Sequence, residues 1–142
     1  MSMNHKFDRD IFDECDLKAR AWAKHLFKRY GVELRDNPDE YGVDLIAYRN
    51  DREVGYVEVE IKKTWNGAFI YKYLNVPIRK KKLLTSRLRS VLVAFNHDGT
   101  QCFICNDNVV LSSAIEEVKN KHVSHGEMFY RVPVSKIKLV TM

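Results

Sequence analysis

The 142-residue chain lacks a long apolar run, because no segment approaches the roughly 18 consecutive apolar residues that a membrane helix requires. Its first seven residues, MSMNHKF, lack the apolar stretch of a secretory signal. It has only three cysteines, which cannot all pair within one chain. These absences predict a cytoplasmic protein in a reducing setting, with no membrane partner.

Glycine-rich phosphate loops and G-x-S-x-G nucleophile elbows are also missing, which excludes two common types of enzyme site. No internal repeat, low-complexity tract or linker interrupts the sequence. The hydrophobic content of 45% and charged content of 30% are typical of a globular domain. We therefore expect one domain over residues 1–142 with one core.

Basic residues are present in excess and are unevenly distributed. The net charge is +5, and six of the eleven residues over 79–89 are Lys or Arg, whereas acidic residues gather in the first sixty positions. This asymmetry favours a polyanionic partner held beside an acidic site.

Apolar residues spaced mostly four apart predict an amphipathic helix over 8–30, ended by Gly31. Runs of β-forming residues between turn-forming pairs predict strands and hairpins after it. The predicted elements are strands over 42–48 and 55–62 joined at Asn50-Asp51, a basic helix over 78–89 opened by Pro77, a hairpin of 91–95 and 101–105 about Asp98-Gly99, a helix from Ser113 to about Lys121, and strands over 127–132 and 136–140 with Pro133 at an edge or a bend.

Charged side chains alternate with apolar ones in the strand over 55–62, so Glu58, Glu60 and Lys62 share one face. Asp44 has the same orientation on the preceding strand. A hairpin loop over 51–53 would place Asp44 directly opposite Glu60, whereas a tighter turn at Asn50-Asp51 shifts the register; the sequence does not distinguish them.

Two carboxylates placed side by side repel each other. At a separation near 4 Å the repulsion is about 4 kcal/mol with an effective dielectric constant of 20. A divalent cation offsets this repulsion, and Mg²⁺ suits one or two carboxylates because it keeps several waters. Such a site favours hydrolysis of a phosphodiester.

The segments GVDLI over 42–46 and VEVEIK over 57–62 resemble the signature of the PD-(D/E)XK nuclease superfamily, and the resemblance covers about residues 8–95. It implies an α/β fold with a restriction-endonuclease-like core: a mixed central β-sheet flanked by helices, in the order α-β-β-β-α-β with C-terminal β additions. It also implies that Asp44, Glu60 and the carbonyl of Ile61 bind Mg²⁺, with Mn²⁺ as a substitute, and that Lys62 positions the attacking water.

The sequence departs from the family pattern at two places. Val43 stands where the signature has proline, and a literal Pro38-Asp39 occurs earlier in a predicted loop. Asp44 is preferred because it lies in the strand that can pair with Glu60. Two further acids are candidates for the site: Glu58 as a third ligand or a solvated neighbour, and Glu14 as the extra acid that many relatives carry on the first helix.

A set of basic residues is predicted to grip the phosphate backbone of a nucleic acid, most suitably DNA. Each one taken alone is better explained as part of a solvated face. Trp65 and Tyr71 are better explained by burial than by stacking on a base. The set is Lys63, Lys72, Arg79, Lys80, Lys81 and Lys82.

Cys102 and Cys105, with His122 and His125, imitate a zinc finger. Two intervening residues in a strand would place the cysteines on opposite faces, so we reject zinc binding. The leading hypothesis is a Mg²⁺-dependent DNA endonuclease. The alternatives are a nucleic-acid-binding module that does not hydrolyse its ligand, and a resolvase that acts as a homodimer on branched, Holliday-junction-type DNA.

Overall fold

A computed structural model describes residues 2–39, 41–118 and 126–142, with side chains from residue 14 onward within them. The described residues form one long helix, two short helices, two 3₁₀ turns and nine strands. In chain order they are α1 (Ser2–Lys28), β1 (Glu33–Asp36), β2 (Leu45–Arg49), β3 (Arg52–Ile61), β4 (Tyr73–Pro77), a 3₁₀ turn (Ile78–Lys80), α2 (Lys81–Leu84), β5 (Ser90–Phe95), β6 (Gln101–Asn106), α3 (Asp107–Leu111), β7 (Ala114–Val118), β8 (Glu127–Pro133), a second 3₁₀ turn (Val134–Lys136) and β9 (Lys138–Thr141).

The strands form two sheets. The larger has the order β1-β2-β3-β5-β6-β9, with β3 and β5 parallel and the other neighbours antiparallel. The smaller is antiparallel, with the order β4-β8-β7. The expected α/β class with a mixed sheet is confirmed at this level.

The large sheet is covered on both faces. Helix α1 packs Ala19, Ala23 and Leu26 against one face, and the small sheet packs against the other. Cys102 belongs to the first core and Cys105 to the second, so the two cysteines lie on opposite faces, as predicted. The single expected core is therefore divided into two layers.

The end of α1 follows the sequence prediction. Gly31 has a φ of +69°, its N–H donates to the carbonyl of Lys28 at 3.1 Å, and the N–H of Val32 donates to the carbonyl of Phe27 at 3.1 Å. This pair of hydrogen bonds is a Schellman motif, which satisfies carbonyls at the helix end.

The β2–β3 hairpin has the tighter of the two predicted turns. Asn50 and Asp51 both have positive φ values, of 53° and 61°. Leu45 lies opposite Val57, and a bulge shifts the register between Ala47 and Tyr48. Asp44, one residue before β2, is therefore beside Glu58 rather than directly opposite Glu60.

The basic helix predicted over 78–89 is wrong in extent. Its first residues form a 3₁₀ turn, and α2 ends at Leu84. The hydroxyl of Thr85 donates to the carbonyl of Lys81 at 2.8 Å, and that of Ser86 to the carbonyl of Leu83 at 2.9 Å. The Ser86 hydroxyl occupies the carbonyl that the next N–H would use in a longer helix, whereas the Lys81 carbonyl also accepts the N–H of Thr85 at 3.0 Å.

The helix predicted from Ser113 is also wrong over its described part, because Ala114–Val118 is strand β7. The Ser113 hydroxyl donates to the carbonyl of Val109 in the preceding α3, at 2.7 Å, and caps no following helix. The predicted end at Lys121 lies outside the described residues.

Two other strand features differ from or refine the expectation. Strand β1 was not predicted. Strand β8 lies in the middle of the small sheet, and Pro133 is its last residue, so the proline marks a bend and not an edge. Among the described helices, none is long and apolar enough to cross a membrane.

Candidate active site

Asp44 lies at the open end of the β2–β3 ladder. Its Oδ2 accepts the N–H of Val59 at 2.9 Å, so the carboxylate takes the place that a strand carbonyl would have if β2 continued. Its other oxygen, Oδ1, lies 3.4 Å from Arg20 Nη2. The backbone bond fixes the carboxylate directly beside β3.

The carbonyl of Ile61 faces the same side of β3. The N–H of Lys62 donates to the carbonyl of Phe95 at 2.8 Å, so the backbone groups of Lys62 point toward β5. Backbone groups alternate along a strand, and those of Ile61 therefore point the other way, as the N–H of Val59 does. Strand β2 does not extend that far, so the carbonyl points past its end, on the side of Asp44.

These groups border a cleft of about 280 Å³, which we call the acidic cleft. One wall comes from α1, the floor from β3, and the other wall from the 3₁₀ turn after β4. Its lining residues are Cys15, Asp16, Ala19, Asp44, Val59, Glu60, Ile61, Lys63, Arg79 and Lys80.

Glu60 carries a buried oxygen that lacks a hydrogen-bond donor. Its Oε1 lies 3.3 Å from the Lys62 ammonium, an ionic contact whose geometry does not make a hydrogen bond. The ammonium donates instead to the carbonyl of Asn75 at 2.8 Å. A buried carboxylate oxygen in this state is costly, and a cation in the acidic cleft would provide the missing partner.

Glu58 is only 2% exposed, so it is not a solvated neighbour. Its Oε2 accepts the N–H of Asp44 at 3.4 Å, and its Oε1 lies 3.5 Å from the Lys80 ammonium. Burial, followed by the hydrogen bond and negative charge of Asp44, raises the pKa of Glu58 to about 8, while Lys80 acts in the opposite direction. The folded chain therefore favours the protonated, uncharged form of Glu58 below about pH 8.

Arg20 and Asp16 are members of the site that the sequence did not reveal. Arg20 Nε donates to Asp16 at 2.8 Å, and Nη1 donates to the carbonyl of Asp44 at 3.2 Å. The guanidinium thus joins α1 to the start of β2. The four-residue spacing of the two side chains on α1 is visible in the sequence, but the face that they occupy is not.

Two other candidate acids lie outside the acidic cleft. Glu14 is exposed and forms an ion pair with Lys18 at 3.4 Å, while Asp16, half a turn further, lines the cleft. Asp39 of the Pro38-Asp39 pair is exposed in a loop, where its Oδ1 accepts the N–H of Tyr41 at 3.0 Å.

The predicted phosphate-binding residues divide into three groups. Lys63, Arg79 and Lys80 border the acidic cleft, although Lys80 is partly engaged by Glu58. Lys72 borders a neighbouring cleft. Lys81 and Lys82 are exposed on α2, beyond both.

The donor set fits Mg²⁺. Carboxylates and a carbonyl are hard oxygen donors, and Mg²⁺ typically takes one or two carboxylates and keeps several waters. Within the described side chains, no three of the types His, Cys, Asp and Glu form a group that could hold a metal. Any ion here would therefore depend on Asp44, Glu60, the Ile61 carbonyl and water.

The zinc-like cysteines have the properties of core residues. Burial raises the pKa of Cys102 to about 11 and that of Cys105 to about 12, which disfavours the thiolate that zinc requires. His122 and His125 lie outside the described residues.

Known proteins do not indicate what the acidic cleft does. No family model matches the chain, and no curated protein or solved structure matches it either. Function must therefore be inferred from the residues of the cleft.

Proposed function

We propose that the chain is a Mg²⁺-dependent endonuclease that hydrolyses phosphodiester bonds in DNA. The observation that carries this proposal is the meeting of Asp44, Glu60 and Ile61 in one cleft, with the Lys62 ammonium 3.3 Å from Glu60. Their chemistry and order are those of the PD-(D/E)XK signature.

The order of elements supports the same proposal. Helix α1, the antiparallel strands β1 to β3, helix α2 and the parallel strand β5 follow the order α-β-β-β-α-β, with β4 of the small sheet inserted in the crossover before α2. The candidate acids occupy the start of β2 and the end of β3. The restriction-endonuclease-like core is therefore part of the proposal.

Each residue has a distinct role in this scheme. Asp44 and Glu60, with the Ile61 carbonyl, would hold Mg²⁺. When bound, the ion supplies Lewis-acid polarisation of a phosphate oxygen and lowers the pKa of a bound water. Lys62, whose ammonium is held by the Asn75 carbonyl, donates a hydrogen bond that orients the attacking water.

The rim of the acidic cleft suits a phosphate chain. Arg79 is exposed, with a weak ion pair to Glu127 at 3.7 Å, and Lys63 is exposed. Because phosphate contacts come mainly from Lys and Arg and carry no sequence information, these residues would provide affinity without specificity.

The direct test is nicking of supercoiled plasmid DNA with Mg²⁺. We expect Asp44→Asn, Glu60→Gln and Lys62→Met each to lower the rate by at least about 100-fold, because each removes a group that acts on the reacting phosphate or water. Asp51→Asn, at the far end of the same hairpin, is the matched control and should cut like wild type. Wild-type rates in all three variants, or cutting that does not need a divalent ion, would contradict the proposal.

Specific contacts favour a second candidate, a nucleic-acid-binding module without hydrolysis. Arg20 already neutralises one oxygen of Asp44, and the Lys62 ammonium is bonded to a backbone carbonyl. This candidate predicts salt-dependent DNA binding with no metal-dependent turnover. The homodimeric resolvase stays a prediction, which a comparison of duplex, single-stranded and four-way DNA as substrates would test.

A further inference from the structure

A second cleft, of about 650 Å³, adjoins the acidic cleft, and Lys62 borders it. It lies between the segment over 64–72 and residues of β4 and β8, and we call it the aromatic cleft. We propose that the aromatic cleft binds an unpaired nucleobase of the strand whose phosphate enters the acidic cleft. The inference rests on the proposed function and specifies its substrate as a nucleic acid with an unpaired segment.

Exposed apolar and aromatic side chains are the first observation. Tyr71 is 67% exposed and Ile70 is 80% exposed, although both line the cleft. Trp65 is only 5% exposed and stacks on Phe103 at 5.1 Å, so burial was the right prediction for Trp65 and the wrong one for Tyr71. A tyrosine ring left in water at the mouth of a cleft is available as a stacking platform for a base.

The position of the Tyr71 ring is supported by its neighbours. Phe69 contacts it edge to face at 5.6 Å, and Phe69 in turn packs against Trp65 at 5.2 Å. The exposed ring is therefore supported by the partly buried Phe69, which in turn packs on the buried Trp65. A ring that is already positioned loses less conformational entropy when a ligand stacks on it.

Polar groups without partners are the second observation. Asn75 and Arg131 lie opposite each other on β4 and β8, and both line the cleft. Three buried atoms of the described side chains lack a hydrogen-bond partner: Asn75 Oδ1, Arg131 Nε and, in the acidic cleft, Glu60 Oε1. Amide and guanidinium groups recognise the edges of bases, and a base in the cleft would offer them the partners they lack.

Charge favours a nucleotide over an uncharged ring. Lys62, Lys72 and Arg131 border the cleft, and the Arg131 guanidinium lies 4.6 Å from the centre of the Tyr73 ring while also pairing with Glu116. Cations interleaved with aromatic rings are typical of proteins that bind single strands. In a duplex the bases are stacked between two backbones, so the ring of Tyr71 could reach only an unpaired base.

The test measures binding in EDTA, where hydrolysis of the strand does not occur. Fluorescence anisotropy compares an oligothymidylate of about 20 nucleotides with an abasic strand of equal length and charge, and with a duplex. The wild-type chain should bind oligothymidylate at least about 5-fold more tightly than the abasic strand. A parallel comparison of oligouridylate with oligodeoxyuridylate, which differ only in the sugar, identifies which sugar the cleft accepts.

Variants test whether the ring of Tyr71 causes the tighter binding of the base-containing strand. Tyr71→Ala should weaken oligothymidylate binding by about 5- to 150-fold and leave binding of the abasic strand unchanged, whereas Tyr71→Phe should retain wild-type affinity because it keeps the ring. Tyr41→Ala, which removes an exposed tyrosine that lines neither cleft, is the matched control. Melting curves for all variants check that the chain is folded.

Three results would overturn the inference: equal wild-type affinity for the base-containing and abasic strands, no effect of Tyr71→Ala, or a loss in Tyr71→Phe as large as in Tyr71→Ala. Plasmid nicking is scored separately. Nicking without a Tyr71 effect on single-strand binding would reject the base site alone. A Tyr71 effect without metal-dependent nicking would reject the nuclease alone.

Discussion

At the scale of single residues, Asp44 combines a structural contact with its proposed chemical role. Its Oδ2 is bonded to the Val59 N–H, and its Oδ1 contacts Arg20 at 3.4 Å. The first contact fixes the carboxylate against the backbone of β3, at the residue before Glu60. The second is long, so a cation in the acidic cleft competes with a weak interaction there.

Glu58 gives a prediction about stability and pH. Its pKa in the folded chain, about 8, is above the unfolded value of 4.5, so the folded state holds the proton more tightly between these values. The resulting stability is fully present below pH 4.5 and is lost as the pH rises through about 8. In EDTA, the melting temperature of wild type should therefore fall more between pH 5 and 9 than that of Glu58→Gln, by at least about 3 °C.

Glu14→Gln is the control for this measurement, because it removes an exposed carboxylate of the same type. Its pH profile should follow that of wild type. Parallel profiles for wild type and Glu58→Gln would mean that Glu58 is ionised in the folded chain across this range.

At the scale of elements, local signals predicted structure better than distant contacts did. The Asp98-Gly99 turn was predicted, and the Asn50-Asp51 turn was one of two predicted alternatives, because a positive φ favours Asn, Asp and Gly at such positions. Gly31 was predicted for the same reason. These features depend on residues that are neighbours in the chain.

Elements that depend on distant partners were not predicted. Strand β7 pairs with β8 across the segment at 119–125, and no local pattern distinguishes it from a helix. The end of α2 was missed for a local reason, because the hydroxyls of Thr85 and Ser86 bond to carbonyls three and four residues earlier and the sequence does not show that they do so. The bulge between Ala47 and Tyr48, which shifts the β2–β3 register, has no composition signal either.

Two glycines allow backbone strain and steric conflict to be separated. Gly31 has a φ of +69° with open space around an added Cβ, whereas Gly99 has a φ of +76° and an added Cβ would lie 2.6 Å from the Trp22 ring. That ring packs against Phe95 at 5.4 Å, which limits its freedom to move. We expect Gly31→Ala to lower the free energy of unfolding by about 1 to 2 kcal/mol, and Gly99→Ala by more.

Urea denaturation measures both changes. Gly31→Asn should cost less than Gly31→Ala, because asparagine tolerates the left-handed region. If Gly31→Ala and Gly99→Ala lowered the free energy of unfolding equally, the contact between Gly99, in the β5–β6 turn, and Trp22 of α1 would be contradicted.

At the scale of the whole molecule, the acidic cleft forms where three layers meet. Helix α1 contributes one wall, the large sheet the floor, and the turn after β4 the other wall. Lys62 links this cleft to the aromatic cleft, because its ammonium contacts Glu60 on one side and the Asn75 carbonyl on the other. The sequence pattern indicated Glu60 and Lys62 through alternation along β3, and Asp44 through its place before the preceding strand. Arg20 was missed because it reaches Asp44 through a contact between distant segments.

In the proposed function, Asp44 and Glu60 share one divalent cation. Isothermal titration calorimetry with Mn²⁺ as the reporter ion measures this directly, and Asp51→Asn again serves as the control. We expect wild type and Asp51→Asn to bind Mn²⁺ alike, Asp44→Asn and Glu60→Gln each to lose at least about 10-fold in affinity, and Mg²⁺ to compete for the same site. Undiminished Mn²⁺ binding in both carboxylate variants, or no binding by wild type, would contradict the proposed function.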